Sequence, residues 1–195
     1  MATLLSHAVA GVTFAQAAGP DLRKRPVFWL AAILCAVLPD IDVIGFSFGI
    51  HYGDLWGHRG MTHSLLFAAL VAICLAVRLQ EGAQQRAMLA LLLFVITASH
   101  GVLDALTNGG LGVAFFSPFD TRRYFFPWRP ILVSPIGMSG LWSARAMRVL
   151  WSEIPWIWAP ALMVSATIWG LRARHARPIV NGIEPVSRGT GSGSV

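Results

Sequence analysis

Charge is what this sequence has least of. Of its 195 residues, 12% are Asp, Glu, Lys or Arg, about half the share of a soluble domain, while 55% are hydrophobic. A soluble globule with so few charges would struggle to cover its surface. The mean hydropathy of +0.62, several long apolar runs and eight Trp place the chain among polytopic α-helical membrane proteins. Thiols are scarce too. Cys35 and Cys74 each lie in an apolar run without CxxC spacing, and read as small buried hydrophobes that say nothing about redox compartment. There is no GxSxG elbow and no HExxH pair, so serine-hydrolase and zincin readings lack their motifs. No basic stretch precedes the first apolar segment, so no cleavable signal peptide is expected. The 15 Lys and Arg against 9 Asp and Glu leave a net charge of +6. In a membrane protein such an excess reports topology and contact with anionic lipid headgroups, not nucleic acid.

The fold class expected is all-α: a polytopic transmembrane bundle of about five helices. The segments are residues 1 to about 18, Val27 to about Ile44, Met61 to about Leu79, Ala87 to about Leu106, and Met147 to about Leu171. The first is short for a span and either crosses with little tilt or lies partly in the interface. Between Val113 and about Ser143, Pro118, Pro127, Pro130 and Pro135 interrupt the pattern. Arg122, Arg123 and Arg129 sit there among Phe and Trp, which reads as an interfacial or re-entrant loop. Residues 1–171 form one membrane-embedded domain, and 172–195 a basic, then Gly- and Ser-rich tail expected to be disordered.

Against this apolar background, residues 38–64, LPDIDVIGFSFGIHYGDLWGHRGMTHS, place Asp40, Asp42, His51, Asp54, His58 and His63 close together. Carboxylates and imidazoles are costly near hydrocarbon, so a cluster there is a functional-site hypothesis. If consecutive spans run in opposite directions, His7 lies near the start of the first and Asp40 and Asp42 near the end of the second. His58 and His63 then flank the start of the third, and His100 and Asp104 lie near the end of the fourth, all on one side of the membrane. Nine basic residues fall on the other side: Arg23, Lys24, Arg25, Arg78, Arg86, Arg172, Arg174, Arg177 and Arg188. Six share the side of the cluster: Arg59, Arg122, Arg123, Arg129, Arg145 and Arg148. The positive-inside rule then puts the cluster outside, in the periplasm of a Gram-negative cell.

Each residue also fits a structural role. His100 and Asp104, four apart on one helix face, can reach one ion, or can bond to each other. Asp40 and Asp42 can share an ion if the backbone after Pro39 is irregular, or can end a helix. His58 and His63 would splay by roughly 140° on a straight helix, though Gly60 between them makes a common target feasible. His51 and Asp54 read as loop residues and His175 as a headgroup contact. The structural roles explain the residues singly but not their common side. As a metal site, His7, Asp40, Asp42, His58, His63, His100 and Asp104 are oxygen and nitrogen donors without thiolate. They suit Zn²⁺, with Mn²⁺ or Mg²⁺ as alternatives, in one or two ions. Asp40, Asp42 or Asp104 could then serve as a base, and Arg59, Arg122, Arg123 and Arg129 could bind a lipid phosphate.

Several motifs carry a resemblance. They are Ser6-His7, Leu38-Pro39-Asp40-Ile41-Asp42, His58-Arg59-Gly60-Met61-Thr62-His63-Ser64, His100 to Thr107 (HGVLDALT), and the later FFSPFDTRRYFFPWRPI. Over residues 3 to 137 the chain resembles the YdjM-like family, bacterial inner-membrane proteins described as metal-dependent hydrolases, some of them LexA-regulated. The resemblance implies a location in the inner membrane and hydrolytic chemistry at these residues. The His-x-x-x-Asp pair is also similar to that of zinc phospholipase C and related nucleases, which favours a phosphoester in a lipid or envelope precursor. The rival expectation is a transporter or metal-handling membrane protein using the same polar cluster. A structural membrane protein with a stabilising metal is a third.

Overall fold

A computed structural model describes residues 1–135 and 143–175; the expected tail lies mostly outside the described residues. Helix α1 (Leu4–Ala15) opens at Thr3, whose hydroxyl accepts from the Ser6 amide, and stops before Gly19-Pro20. A single turn, α2 (Pro20–Arg23), leads to α3 (Pro26–Val37). Pro39 has no N–H to extend the α-helical ladder. The chain continues from Leu38 to Phe48 as a 3-10 helix and ends at Gly49, where φ is +79°. The second candidate span therefore covers Pro26–Phe48, and its α-helix gives way at Pro39, where the sequence signals an interruption.

Helix α4 (Leu65–Leu79) begins four residues later than its expected start at Met61. Ser64 caps it by accepting from the Phe67 amide, and Met61–His63 form a separate 3-10 turn. Helix α5 (Ala83–Ala105) starts four residues early and packs along α4. Helix α6 (Ala144–Glu153) runs through a π-turn at Ile154–Trp158, where Pro155 lacks a donor, into α7 (Ala159–His175). Among the described residues there are two isolated β-bridges and no strand.

Five helical bodies thus stand where five segments were expected. Among the described residues, three are long and apolar enough to cross a membrane: Pro26–Phe48, Ala83–Ala105 and Ala144–Arg174. At 12 and 15 residues, α1 and α4 reach only about 18 and 22 Å, short of a hydrocarbon core of about 30 Å. Leu30, Leu34, Leu70, Ile73, Met88, Leu91, Leu162, Met163 and Trp169 face outward, a surface for lipid rather than water. Small residues bring the helices together. Ala68, Ala72 and Ala76, one turn apart on α4, are all buried, and a Cβ at Gly11 would come within 2.5 Å of the Ala36 Cβ on α3.

The segment from Thr107 to Pro135 folds back over the end of the bundle where α3, α4 and α5 meet. The Val113 and Tyr124 backbones exchange both hydrogen bonds at 2.9 Å. The Phe126 amide reaches the Ala105 carbonyl, and the Ala114 amide reaches that of Arg59. This is the irregular loop the prolines signalled, and it covers the end that carries the acids and histidines.

Candidate metal centre

The 3-10 backbone after Pro39 decides how the two aspartates sit. Residues two apart are separated by about 120° on a 3-10 helix against about 160° on an α-helix. Both Asp40 and Asp42 are buried as a result, at 8% and 7% exposure. His58 and Arg59 arrive on tight turns, in which the Gly60 amide bonds to the Gly57 carbonyl and Arg59 takes a left-handed φ of +64°. His63 follows on its own short turn. With no continuous helix between them, the two histidine rings approach edge to face at 5.4 Å. His100 and Asp104 come from the last turns of α5, and His7 from the second turn of α1.

Four donor atoms converge. One each from Asp40, His63, His100 and Asp104 lie within 4.8 Å of one another. Asp40 Oδ1 is 3.3 Å from His100 Nε2 and 3.6 Å from His63 Nε2, and the latter is 3.7 Å from Asp104 Oδ2. Ligands about 2.1 Å from a tetrahedral ion stand about 3.4 Å apart, so the spacing fits such an ion. These same atoms have no hydrogen bond. Among the described residues, every buried side-chain nitrogen or oxygen without one belongs to His7, Asp40, His58, Arg59, His63, His100 or Asp104. Native proteins rarely leave buried polar atoms so. The carboxylates of Asp40 and Asp104, with the neighbouring Asp42, against the Arg59 guanidinium leave two negative charges, which one divalent cation would balance. The cluster could hold a metal ion.

The surroundings orient the donors. His100 Nδ1 bonds to the Ala36 carbonyl at 2.7 Å, which leaves Nε2 as the atom facing Asp40. Asp42 accepts from His58 Nδ1 at 2.8 Å, Thr62 Oγ1 at 2.6 Å and the Arg59 amide at 3.2 Å, and its Oδ2 lies 3.1 Å from His63 Nδ1. Both Asp42 oxygens are thus engaged, and it stands behind the histidines in the way carboxylates do behind metal-bound imidazole. A second group, Asp42, His58 and His63, also lies within 4.8 Å. His7 stacks on His100 at 3.6 Å and places Nε2 3.4 Å from Asp104 Oδ1. Burial alone would lower the His63 pKa, but the Asp40 and Asp42 carboxylates outweigh it and raise it to about 9.

The structure brings all seven expected donors together. His51 and Asp54 stay exposed and bond to each other in the loop. The four arginines expected at a phosphate divide. Arg59 is wholly buried, with Nε 3.0 Å from Asp104 Oδ2 and its amino groups donating to Gly109 O and Thr107 Oγ1. Arg123 donates to the carbonyls of His58, Tyr52 and Asp54, and Arg122 pairs with Asp120. Arg129 lies over the Phe125 ring.

Sequence reasoning passed over Glu153. This fully buried carboxylate at the end of α6 accepts from the Thr3 amide, Thr3 Oγ1 and Ser6 Oγ, and so fixes the start of α1 that carries His7. A lone acid in the run WSEIPWIW is the signal that would have found it. Thr62 and the Ala2 amide, which donates to Asp104 Oδ1 at 2.8 Å, were also passed over.

Comparison with known proteins bears on this arrangement. The chain is 35% identical over 173 residues to the inner membrane protein YbcI of Escherichia coli, a match covering 88% of this chain and 99% of that protein. No solved structure matches it significantly. The family model described as the YdjM inner membrane protein matches residues 1–176, which takes in every helix and every donor described above. The chain is a membrane protein of the YdjM inner membrane protein family.

Proposed function

We propose that the protein is a metal-dependent hydrolase of the bacterial inner membrane, acting on a phosphoester in a lipid or envelope precursor. The observation that carries this reading is the convergence of donor atoms from Asp40, His63, His100 and Asp104 at one end of an apolar bundle, those of Asp40, His63 and His100 being left without a hydrogen bond. Two imidazoles and two carboxylates at near-tetrahedral spacing suit Zn²⁺ first, with His7 Nε2 as a further donor, and the charge balance suits one ion. Such an ion, when bound, supplies positive charge for a phosphoryl oxygen and acidifies a water molecule. Asp40 Oδ2 is buried and has no hydrogen-bond partner. It takes a proton from the attacking water as the water oxygen bonds to phosphorus. The ester P–O bond breaks, and the leaving alcohol draws its proton from solvent. Asp42 holds the imidazoles of His58 and His63 in place.

Ile41 and Ile44, on the same 3-10 helix as Asp40, are exposed, which favours a substrate with an apolar body. The count of basic residues favours the periplasmic face and a chain that crosses the membrane several times. A transport pathway would instead distribute polar groups through the bilayer. Here the core away from the cluster is Ala32, Cys35, Ala72, Leu89, Leu93 and Ile96. The test is metal analysis of detergent-purified protein, followed by a screen of phosphoester lipids. The reading expects bound zinc and release of alcohol or phosphate that disappears in Asp40→Ala. Zinc-loaded protein that turns over no phosphoester lipid refutes it.

A further inference from the structure

Beyond the metal centre, we propose that a cavity of about 290 Å³ between α6 and the segment after α5 binds a phosphate-bearing anion. The assignment does not depend on turnover. The cavity is lined by Asn108, Leu132, Val133, Arg145, Arg148 and Val149, with no acidic residue, and lies at the small end of ligand pockets. Arg145 and Arg148, three apart on α6, share one face of that helix. Every other arginine on this end of the bundle has a partner: Arg59 with Asp104, Arg122 with Asp120, Arg123 with three carbonyls, Arg129 with the Phe125 ring. The side chains of Arg145 and Arg148 make no ion pair or hydrogen bond among the described residues.

Their placement adds to the positive field. Arg145 sits in the first turn of α6, capped by Ser143, where the helix dipole is already positive. Two like charges at this spacing oppose the helix unless an anion lies between them. The Asn108 Oδ1 accepts from the Val133 amide at 3.0 Å, so its Nδ2 is left as a neutral donor at the cavity. Two forked guanidinium groups and an amide match the several acceptor oxygens of a phosphate. Trp151 and Met147 are exposed on the same helix, a composition that marks headgroup depth.

The ligand is either a phospholipid headgroup or a soluble phosphate, and binding to full-length protein in detergent distinguishes them. Inorganic phosphate and phosphatidic acid are each titrated, with phosphatidylcholine as the shielded headgroup. Wild type binds phosphatidic acid in preference to phosphatidylcholine, and Arg145→Gln with Arg148→Gln weakens that binding about tenfold or more. Arg78→Gln with Arg86→Gln, the same loss of charge at the other end of the bundle, leaves it unchanged. Saturable binding of inorganic phosphate lost in the Arg145/Arg148 variant identifies a soluble anion; loss for phosphatidic acid alone identifies a headgroup. Equal losses in the two double variants, or no loss in either, overturn the assignment. Both arginines are exposed, so thermal midpoints close to wild type are expected, and the single Arg148→Gln variant gives the same sign if the double variant is unstable.

Discussion

Asp42→Asn separates a ligand from the group that stands behind it. The carboxylate receives His58 Nδ1 on Oδ1, while Thr62 Oγ1, the Arg59 amide and His63 Nδ1 gather at Oδ2. An asparagine keeps the shape but offers one oxygen, which the three donors around Oδ2 draw to their side. Its NH₂ then faces His58 Nδ1, and two donors cannot bond. The His58 ring must rotate or move its proton to the buried Nε2, where the lone pair is lost. Losing such an orienting partner costs metal affinity about 10- to 100-fold, or about 1.4–2.7 kcal/mol. Replacing a ligand is expected to do more: Asp40→Ala removes a donor from a set with no spare carboxylate and leaves the purified protein without metal. Zinc content measured by mass spectrometry across a series of chelator-buffered zinc concentrations reads both effects. The expected result is a displaced but complete binding curve for Asp42→Asn and no curve for Asp40→Ala. Complete loss in Asp42→Asn would make Asp42 a ligand, and a curve superimposed on wild type would deny it any part in holding the histidines.

Three other outcomes follow from the packing and charge. Gly11→Ala puts a methyl group 2.5 Å from the Ala36 Cβ, an overpacking worth about 1–3 kcal/mol. The thermal midpoint in detergent falls, and metal is retained less well because the Ala36 carbonyl orients His100. Glu153→Ala leaves the Thr3 amide and two hydroxyls without their charged acceptor, a loss of about 3 kcal/mol visible in the same melt. Because His63 holds its proton up to about pH 9 without an ion, metal must displace that proton. Zinc affinity therefore rises between pH 6 and 8, by up to about tenfold per unit, and titrations at three pH values check the slope.

Much of the site was legible because the reason for it is simple. Imidazoles and carboxylates in an apolar sequence need a cause, and the fold brings His7, Asp40, His63, His100 and Asp104 to one end. What the sequence could not separate was role. Asp40 and Asp42 look equivalent in Leu38-Pro39-Asp40-Ile41-Asp42, and only the 3-10 turn, with Thr62 reaching back from another segment, gives one free oxygens and the other none. Arg59, next to a histidine in a motif, read as a phosphate contact. Its left-handed backbone instead turns the guanidinium inward to Asp104 and Thr107, a tertiary outcome with no local signature. Glu153 was open to the same reasoning that singled out Asp40.

The distribution of unpartnered atoms also bears on how the fold and the ion depend on each other. Buried carboxylates without hydrogen bonds are expensive, and here they cluster where one of the shortest helices docks. Helix α1 is held at its start by Glu153 and the Ala2–Asp104 bond, and along its length by the close approach of Gly11 to Ala36. Its His7 joins the cluster formed by the Leu38–Phe48 3-10 helix, the Met61–His63 turn and α5. A cation bound there would offset repulsion among groups contributed by all of these elements at once, and its binding free energy would become packing free energy for that end of the bundle. Polar residues gather around the donors, while the helix–helix contacts elsewhere are apolar, with Ala32, Ala36, Ala72 and Ala76 packed against Phe28, Leu89, Leu93 and Ile96. The apolar contacts bring the helices close, and an ion bound by these donors would favour the arrangement in which the acids and imidazoles face each other.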